Sequence, residues 1–264
     1  MDRIPWTWGC KIIDQFRGDL LREQAHRFTG RVLDLGCGKK PYREMLGGQA
    51  AAWIGVDLPL TYSGPAAVDV YADGHWLPFK DGAFDVILNT DVLEHVREPK
   101  QIFAEAARVL RPGGLLIMTA PQTAHLHEEP HDYFRFTKYG LAYLAQATGF
   151  GVVEIKAFGG ALALVGQTIA CHIPALIHNC FGEWLRGAGQ AIAQWLFWHA
   201  DKALHLVHDG AEESTIAYLL VARKGARSVE SGVRLRSPHL DWQSAMSKSK
   251  ADPSHMRNRG AWKL

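Results

Sequence analysis

Cysteine is scarce in this sequence, with four among 264 residues. None of them belongs to a CxxC pair or to a spacing typical of zinc ligands; they are Cys10, Cys37, Cys171 and Cys180. This excludes a disulfide-stapled secreted scaffold and favours reduced thiols. The first residues also lack the basic and then apolar run of a signal peptide, so we expect a cytoplasmic location.

The sequence has no uninterrupted apolar run of the length needed to cross a membrane, which is about 20 residues. Residues 157–182 contain no Asp, Glu, Lys or Arg, but Pro174 and several polar side chains interrupt them. The chain then continues as an amphipathic stretch rich in Trp and Ala. We therefore predict a helical insertion over residues 157–210 that caps a ligand site or rests on a membrane surface.

The chain also lacks a strong net charge, because its 29 Lys and Arg and 27 Asp and Glu leave a net charge of only +2. The two signs are unevenly placed: residues 1–222 carry −5 and residues 223–264 carry +7. We predict a basic, disordered tail over residues 224–264. Such a tail can touch anionic lipid or nucleic acid, but a solvated, disordered extension is the favoured explanation.

Short apolar runs alternate with helical stretches along most of the chain. The runs suit strands buried on both faces of a mostly parallel sheet. The predicted strands are Val32–Leu35, Trp53–Val56, Val68–Tyr71, Phe84–Leu88, Leu115–Thr119, Val152–Lys156 and Thr215–Arg223, and the clearest helices are Ile13–Phe28, Pro99–Leu110 and Thr137–Thr148. The pattern predicts a doubly wound α/β domain over residues 31–223, preceded by an N-terminal helical segment, residues 1–30.

The first predicted strand runs into a glycine-rich turn, RVLDLGCG, at residues 31–38. Gly36 and Gly38 let the backbone approach a ligand where a Cβ would collide. The turn does not complete GxGxxG, because Pro41 stands where the third glycine belongs. That departure disfavours a dinucleotide pyrophosphate and favours a smaller adenosyl ligand.

Three further strands end in polar residues at the same predicted edge. Asp57 lies 19 positions after Gly38, where a carboxylate can accept both hydroxyl hydrogens of a ribose. An ordinary turn or capping role is the alternative for Asp57. Asp73 follows the next strand and can accept an adenine amino group, and Asn89 ends the fourth strand.

Five segments occur in the order found in the small-molecule type of class I S-adenosylmethionine (SAM)-dependent methyltransferases: VLDLGCG, GVD, ADGHWLPF, FDVILNTDVLEHV and RVLRPGGLLIMTAP. Residues 30–158 thus resemble this family. The resemblance implies a seven-stranded, Rossmann-like sheet whose last strand is antiparallel, with Thr215–Arg223 as that strand. It also implies SAM as the cofactor.

The resemblance assigns a part of SAM to each motif. Asp34, Gly36 and Gly38 would border the methionine part, and Asn89 the sulfonium side. Asp57 would hold the ribose, and Asp73 and Gly74 the adenine edge. Cys37 and Leu58 complete the predicted cofactor site as neighbours of these residues.

The segment after the fifth strand, residues 121–136, contains three His and three acids. A hydroxyl acceptor benefits from a base, and we predict His131, paired with Asp132 or another acid, with His127 beside it. A loop-locking role is the structural alternative for the same residues. No metal is expected, because HxHEEPH lacks a helical ligand spacing and Pro130 interrupts it. Core packing or capping explains Glu94 and His95 as well as catalysis does.

The sequence therefore predicts an enzyme that methylates an oxygen or nitrogen of a small or lipid-linked acceptor. A cell-envelope saccharide hydroxyl is the first choice, and a quinone or aromatic lipid, reached through peripheral membrane contact, is the alternative. Nucleic acid is disfavoured because residues 89–92 lack the Asn/Asp-Pro-Pro-aromatic loop that holds a flipped base in similar enzymes. A non-catalytic binding module is a further alternative, which Asp57 together with Asp73 disfavours.

Overall fold

The computed structural model describes residues 11–59, 68–177, 195–201, 203 and 214–225. Its strands are β1 Gly30–Leu35, β2 Ala50–Asp57, β3 Val70–Tyr71, β4 Phe84–Thr90, β5 Leu110–Pro121, β6 Phe150–Phe158 and β7 Ala217–Lys224. Its helices are α1 Lys11–Glu23, α2 Arg43–Leu46, α3 Pro99–Val109, α4 Lys138–Ala147 and α5 Ala161–Ile177, with 3-10 turns at Ala25–Arg27, Gly47–Gln49 and Leu93–His95.

The seven strands form one sheet in the order β3-β2-β1-β4-β5-β7-β6. The pairs among β1 to β5 are parallel, whereas β7 runs antiparallel to both β5 and β6. The predicted doubly wound sheet with an antiparallel last strand is confirmed. The strand order reverses between β1 and β4, and in such sheets ligands bind in the crevice at the carboxyl ends of the strands on either side of this reversal.

Apolar side chains cover both faces of the sheet, which is why its strands read as continuous apolar runs. On one face, α3 and α4 pack on Leu33, Ile87 and Met118. On the other face, Leu21 of α1 and Phe28 pack with residues of opposite parity, among them Val32, Val86, Leu88 and Ile117. Alternation along each strand therefore divides its side chains between two cores.

Most predicted bounds shift by one to five residues, for example at α1, α3 and β3. The helix predicted over Ile13–Phe28 ends at Glu23, because a 3-10 turn then carries the chain into the core at the fully buried Phe28. Leu110 begins β5 rather than ending α3, since it pairs with Phe84 in the sheet. The strand predicted over Val68–Tyr71 is reduced to Val70–Tyr71.

The α4 helix begins and ends where its sequence signals predict. The Thr137 hydroxyl accepts a hydrogen bond from the Gly140 N–H at 3.1 Å, as an N-cap does. After the helix, Gly149 adopts a φ of 88°, a conformation that favours glycine.

The predicted insertion contains helix α5 and a second helical stretch at residues 195–201. The carboxylate of Asp201 accepts hydrogen bonds from the N–H groups of Gly160, at 2.8 Å, and Ala163, at 3.1 Å, and so caps α5. Among the described residues, no helix is long and apolar enough to span a bilayer. Residues 1–10 and 226–264, on which part of the N-terminal segment and nearly all of the predicted tail fall, lie outside the described residues.

Candidate functional site

The glycine-rich turn is tied to the neighbouring strand at the sheet edge. Gly36 and Gly38 adopt φ values of 73° and 47°, in the region that favours glycine. A Cβ on Gly36 would lie 2.2 Å from a methyl carbon of Val92, so no larger residue fits there. The Gly36 and Cys37 N–H groups both donate to the Val56 carbonyl, at 2.8 and 3.0 Å. The turn is therefore held in place before any ligand arrives.

Asp57 lies against this turn. One carboxylate oxygen accepts the Gly38 N–H and the other accepts the Leu58 N–H, both at 2.7 Å. Each oxygen keeps a further lone pair, because an ionised carboxylate has about four acceptor positions. The structure thus brings together three residues predicted to hold the ribose and methionine parts, and Asp57 retains acceptor capacity for two ribose hydroxyls.

Asp34 and Cys37 are both buried beside the turn. The Trp53 indole N–H donates to the Asp34 carboxylate at 3.0 Å. Burial nevertheless raises the pKa of Asp34 to about 7, and burial raises the pKa of the Cys37 thiol to about 12. The thiol therefore stays protonated and is not a candidate nucleophile.

A buried lysine in the same turn, which the sequence analysis missed, connects the turn to β2. Lys40 is 6% exposed, and its ammonium group pairs with the Asp69 carboxylate. Asp69 also accepts the Gly55 N–H at 2.7 Å. A Cβ on Gly55 would lie 2.1 Å from the Lys40 Cε, so the lysine crosses β2 at the one position without a side chain. The glycine between apolar residues in WIGVD was the available signal.

Asp73 and Gly74 follow β3, as predicted. The Asp73 carboxylate accepts the His75 N–H at 2.9 Å and contacts the ring of His75. A Cβ on Gly74 would lie 3.1 Å from Ile102 and 3.3 Å from Leu35, so the chain approaches the core closely here. Trp76 beside them is 70% exposed. These residues form the rim on the β3 side of the sheet edge.

Asn89 is fully buried at the end of β4. Its side-chain N–H donates to the Leu35 carbonyl at 3.0 Å, which joins the ends of β4 and β1. Its side-chain oxygen has no hydrogen-bond partner among the described residues. A contact between Asn89 and the sulfonium side of SAM stays a prediction.

Asp91, next along the chain, fixes the N-terminal helix to the site. It has a φ of 50°, which is rare for a residue with a side chain. Its carboxylate accepts the Thr119 hydroxyl at 2.8 Å and pairs with the Arg17 guanidinium at 2.5 Å. Arg17 also donates to the Tyr42 hydroxyl at 3.0 Å. The sequence analysis missed Arg17, because nothing local to α1 distinguishes it from the helix's other charged residues.

The segment after β5 corrects the predicted pairing of His131 with Asp132. The Asp132 carboxylate accepts two hydrogen bonds from Arg135, at 2.6 and 2.8 Å, and one from the His127 N–H at 3.0 Å. Burial opposes its ionisation, but these hydrogen bonds lower the pKa of Asp132 to about 2. The exposed His131 ring lies with its Nδ1 3.0 Å from the Tyr133 hydroxyl instead. Arg135 decides this arrangement, because a guanidinium binds a carboxylate through two parallel bonds.

Four other side chains converge beside this loop. The Nε2 atom of His95 lies 3.9 Å from a carboxylate oxygen of Glu94 and 3.7 Å from one of Glu128. The rings of His95 and His127 meet edge to face, with centroids 4.8 Å apart. Burial lowers the pKa of His95 and raises the pKa values of Glu94 and Glu128. We call Glu94, His95, His127 and Glu128 the His/Glu cluster.

The cluster lies at the carboxyl ends of β4 and β5, on the β5 side of the predicted cofactor residues. The backbone holds it there, since the N–H groups of Tyr133 and Phe134 donate to the Glu94 carbonyl at 2.8 and 3.3 Å. This arrangement can receive a proton or hold a cation. A doubly wound sheet with a glycine-rich turn and an acid after β2 is typical of the Rossmann-like class of nucleotide-binding folds.

Comparisons with known proteins agree with this class. The model of the methyltransferase domain family matches residues 33–118. The chain is 28% identical over 172 residues to a ubiquinone biosynthesis O-methyltransferase of Burkholderia thailandensis, which covers 54% of this chain and 74% of that relative. It is 38% identical over 94 residues to an uncharacterized methyltransferase of Mycobacterium sp. (strain JLS), which covers 33% of this chain and only 37% of that relative.

Among solved structures, the [4+2]-cyclase SpnF aligns with a TM-score of 0.52 and 19% identity, over 80% of this chain and 82% of the cyclase. At that identity the likeness supports the fold alone. The family match over residues 33–118 and the methyltransferase relatives together support a class I SAM-dependent methyltransferase. It is an enzyme, and SAM is its methyl donor, as the motifs predict.

Proposed function

We propose that this methyltransferase transfers the methyl group of SAM to a hydroxyl oxygen of a small acceptor, with a phenolic hydroxyl as the preferred type. The observation that carries the proposal is the His/Glu cluster, where two imidazoles and two carboxylates meet at the sheet edge. A hydroxyl must lose its proton as its oxygen attacks, and groups of this kind can receive it.

The step balances without a further reactant. The acceptor oxygen forms a bond to the methyl carbon, the carbon–sulfur bond breaks, and its electron pair stays on sulfur, which leaves S-adenosylhomocysteine. The hydroxyl proton passes to the cluster and then to solvent. An in-line displacement gains most of its rate from positioning, so the acceptor must lie between the cluster and the sulfonium.

The burial of His95 favours a phenol over a saccharide as the acceptor. Because burial lowers the pKa of His95, its imidazole is neutral at pH 7, but it is a weak base. A phenol, with a pKa of about 10 as in tyrosine, is far easier to deprotonate than an aliphatic alcohol. The partial likeness to a ubiquinone biosynthesis O-methyltransferase supports the same preference. The saccharide hydroxyl that the sequence favoured, free or lipid-linked, becomes the second candidate.

We further propose that the cofactor residues act as the family resemblance implies. Asp57, with Leu58, would hold the ribose; Asp73 and Gly74 would border adenine. The Gly36–Gly38 turn, with Cys37 and the buried Asp34 behind it, would face the methionine part, and Asn89 the sulfonium. The bonds of Asp57 to Gly38 and Leu58 support this placement, because they set the acid directly beside the turn.

The test is production of S-adenosylhomocysteine by the purified full chain with SAM and one acceptor at a time. A catechol bearing a short alkyl chain, a methyl glucoside and a primary amine represent the three acceptor types. Turnover with the catechol, at least about tenfold above the other two, supports the proposal. Turnover with the glucoside alone would overturn the preference for a phenol and select the saccharide, and turnover with the amine alone would overturn the proposal. SAM binding with no turnover on a wider acceptor set would favour a binding module.

A further inference from the structure

Glu94 is a buried acid with an incomplete set of partners. Its side chain is 1% exposed, and its Oε2 atom has no hydrogen-bond partner among the described residues. A buried polar atom without a partner carries a considerable free-energy cost. Either a proton or a cation can compensate an acid in this position, and the groups around Glu94 distinguish the two.

The first neighbour is His95, whose ring is fixed by a backbone carbonyl. Its Nδ1 atom lies 2.8 Å from the His131 carbonyl oxygen. A carbonyl only accepts, so Nδ1 carries the proton and Nε2 keeps its lone pair. That Nε2 atom faces the carboxylates of Glu94 and Glu128, at 3.9 and 3.7 Å. When the two carboxylates are ionised, neither they nor the Nε2 atom carries a proton, so no hydrogen bond can form between them. The Nε2 atom and the carboxylate oxygens can instead bind a cation together.

The second neighbour is His127, whose ring is held in the same way. Its Nδ1 atom lies 3.0 Å from the His125 carbonyl oxygen, so it also donates, and the Asp132 carboxylate lies 3.4 Å away. Arg135 holds that carboxylate in place. A histidine that donates from one ring nitrogen to a carbonyl or a carboxylate, while the other nitrogen binds, is the usual arrangement around protein metal sites.

We infer that Glu94, His95 and His127 form a binding site for one divalent transition-metal ion of the Zn²⁺ type. One ligand atom from each residue lies within 4.8 Å of the other two. Metal–nitrogen and metal–oxygen bonds are about 2.0–2.2 Å, so binding draws these atoms together by roughly 1 Å. Neutral imidazole with carboxylate is a donor set that suits zinc or iron. Asp91 is not part of the set, because Arg17 and Thr119 occupy its carboxylate.

The site departs from the sequence expectation of no metal for a structural reason. The segment HxHEEPH by itself lacks a suitable spacing, but the fold supplies two ligands from the 3-10 turn after β4 and one from the loop after β5. Three protein ligands leave a position open on the ion. In this role, which rests on the proposed function, the ion holds the acceptor hydroxyl oxygen and lowers the pKa of its proton. The proton then passes to Glu128, the member of the His/Glu cluster that does not bind the ion.

The test is titration of the untagged, chelator-treated full chain with Co²⁺, followed by visible absorption and calorimetry. Co²⁺ is chosen because, unlike Zn²⁺, it absorbs when bound by nitrogen and oxygen ligands. We expect one equivalent to bind, with Glu94→Gln and His127→Gln each weakening binding about a hundredfold or more. Asp132→Asn, which only loosens the His127 ring, is expected to weaken it by about 10–100-fold.

His131→Ala is the matched control for metal binding, because it removes an exposed imidazole from the same loop and keeps the carbonyl that orients His95. It is expected to bind Co²⁺ like the unaltered chain. Unchanged SAM affinity and a single cooperative unfolding transition above the assay temperature show that each variant is folded. Absence of Co²⁺ and Zn²⁺ binding to the unaltered chain, or equal loss in the His131→Ala control, would overturn the inference.

The metal site and the proposed function can fail separately. Catechol methylation by a chain that binds neither Co²⁺ nor Zn²⁺ would remove the site and leave the function. Stoichiometric Co²⁺ binding that depends on Glu94 and His127, in a chain that methylates only an amine, would leave the site and remove the function.

Discussion

Asp132 and Arg135 form a two-bond ion pair in which both carboxylate oxygens accept from the guanidinium, at 2.6 and 2.8 Å. The pair closes the loop after β5, and its carboxylate also accepts the His127 N–H. It therefore holds His127 in place while leaving His131 exposed at the surface.

The ion pair predicts how stability depends on pH. The folded pKa of Asp132, about 2, lies below its ordinary value of 3.8, so the ionised form stabilises the folded chain. This stability is present above about pH 4 and is lost as the pH falls through 2. Asp132→Asn should cost about 2 kcal/mol at pH 7 and progressively less in acid. Urea unfolding across pH 2–7 measures the difference in the free energy of unfolding between this variant and the unaltered chain. The exposed-site variant Glu44→Gln is the control. A pH-independent difference would contradict the assignment.

Asp57→Ala should weaken SAM binding by about 1.5–3 kcal/mol, since it removes charged acceptors for two ribose hydroxyls and releases the Gly38 N–H. Calorimetric titration with SAM and with S-adenosylhomocysteine measures the loss. Asp81→Ala, which removes an acid paired with Arg108 before β4, is the control and should bind both normally. Unchanged affinity in folded Asp57→Ala protein would refute the placement of the cofactor.

Arg17→Ala should destabilise the fold by about 3 kcal/mol, because it leaves the Asp91 carboxylate partly buried without its cation. Arg22 of the same helix makes an exposed pair with Asp19, and Arg22→Ala should cost at most about 1 kcal/mol. The free energy of unfolding in urea gives both values. Similar small losses in the two variants would mean that α1 does not depend on Asp91 for its position.

Gly55→Ala should cost about 1–3 kcal/mol through overpacking, since the new methyl group would lie 2.1 Å from the Lys40 Cε and 2.7 Å from the Cys37 sulfur. Gly48→Ala is the matched control, because a Cβ there meets nothing within 4 Å. If Lys40 is the obstacle, adding Lys40→Ala should make the double variant less unstable than the sum of the single changes. Strict additivity would exclude that cause.

Local sequence patterns predicted most of the cofactor half of the molecule. Gly36 and Gly38, the acid at 57 and the strands that carry them lie close together in sequence, and a strand followed by a tight turn fixes their relative positions. The apolar runs correctly predicted strands that are buried on both faces of the sheet. Boundaries were less certain where a residue serves two elements, as Leu110 does at the junction of α3 and β5.

The acceptor half could not be predicted to the same extent. His131 and Asp132 are adjacent in sequence, yet the structure separates their side chains because Arg135 offers Asp132 a better partner. Similarly, Arg17 gave no local signal, since its partner Asp91 lies on another strand end and α1 meets it only after the sheet has assembled.

By itself, then, the sequence determined the family, the cofactor and the order of secondary structure, because these depend on residue types at short, regular spacings. Only the tertiary structure decided which side chains meet beyond the cofactor: Glu94 and His95 from one turn with His127 from a loop 32 positions later. Contacts of this kind depend on strand order and on competition between ion-pair partners. Both are settled only when distant parts of the chain pack together.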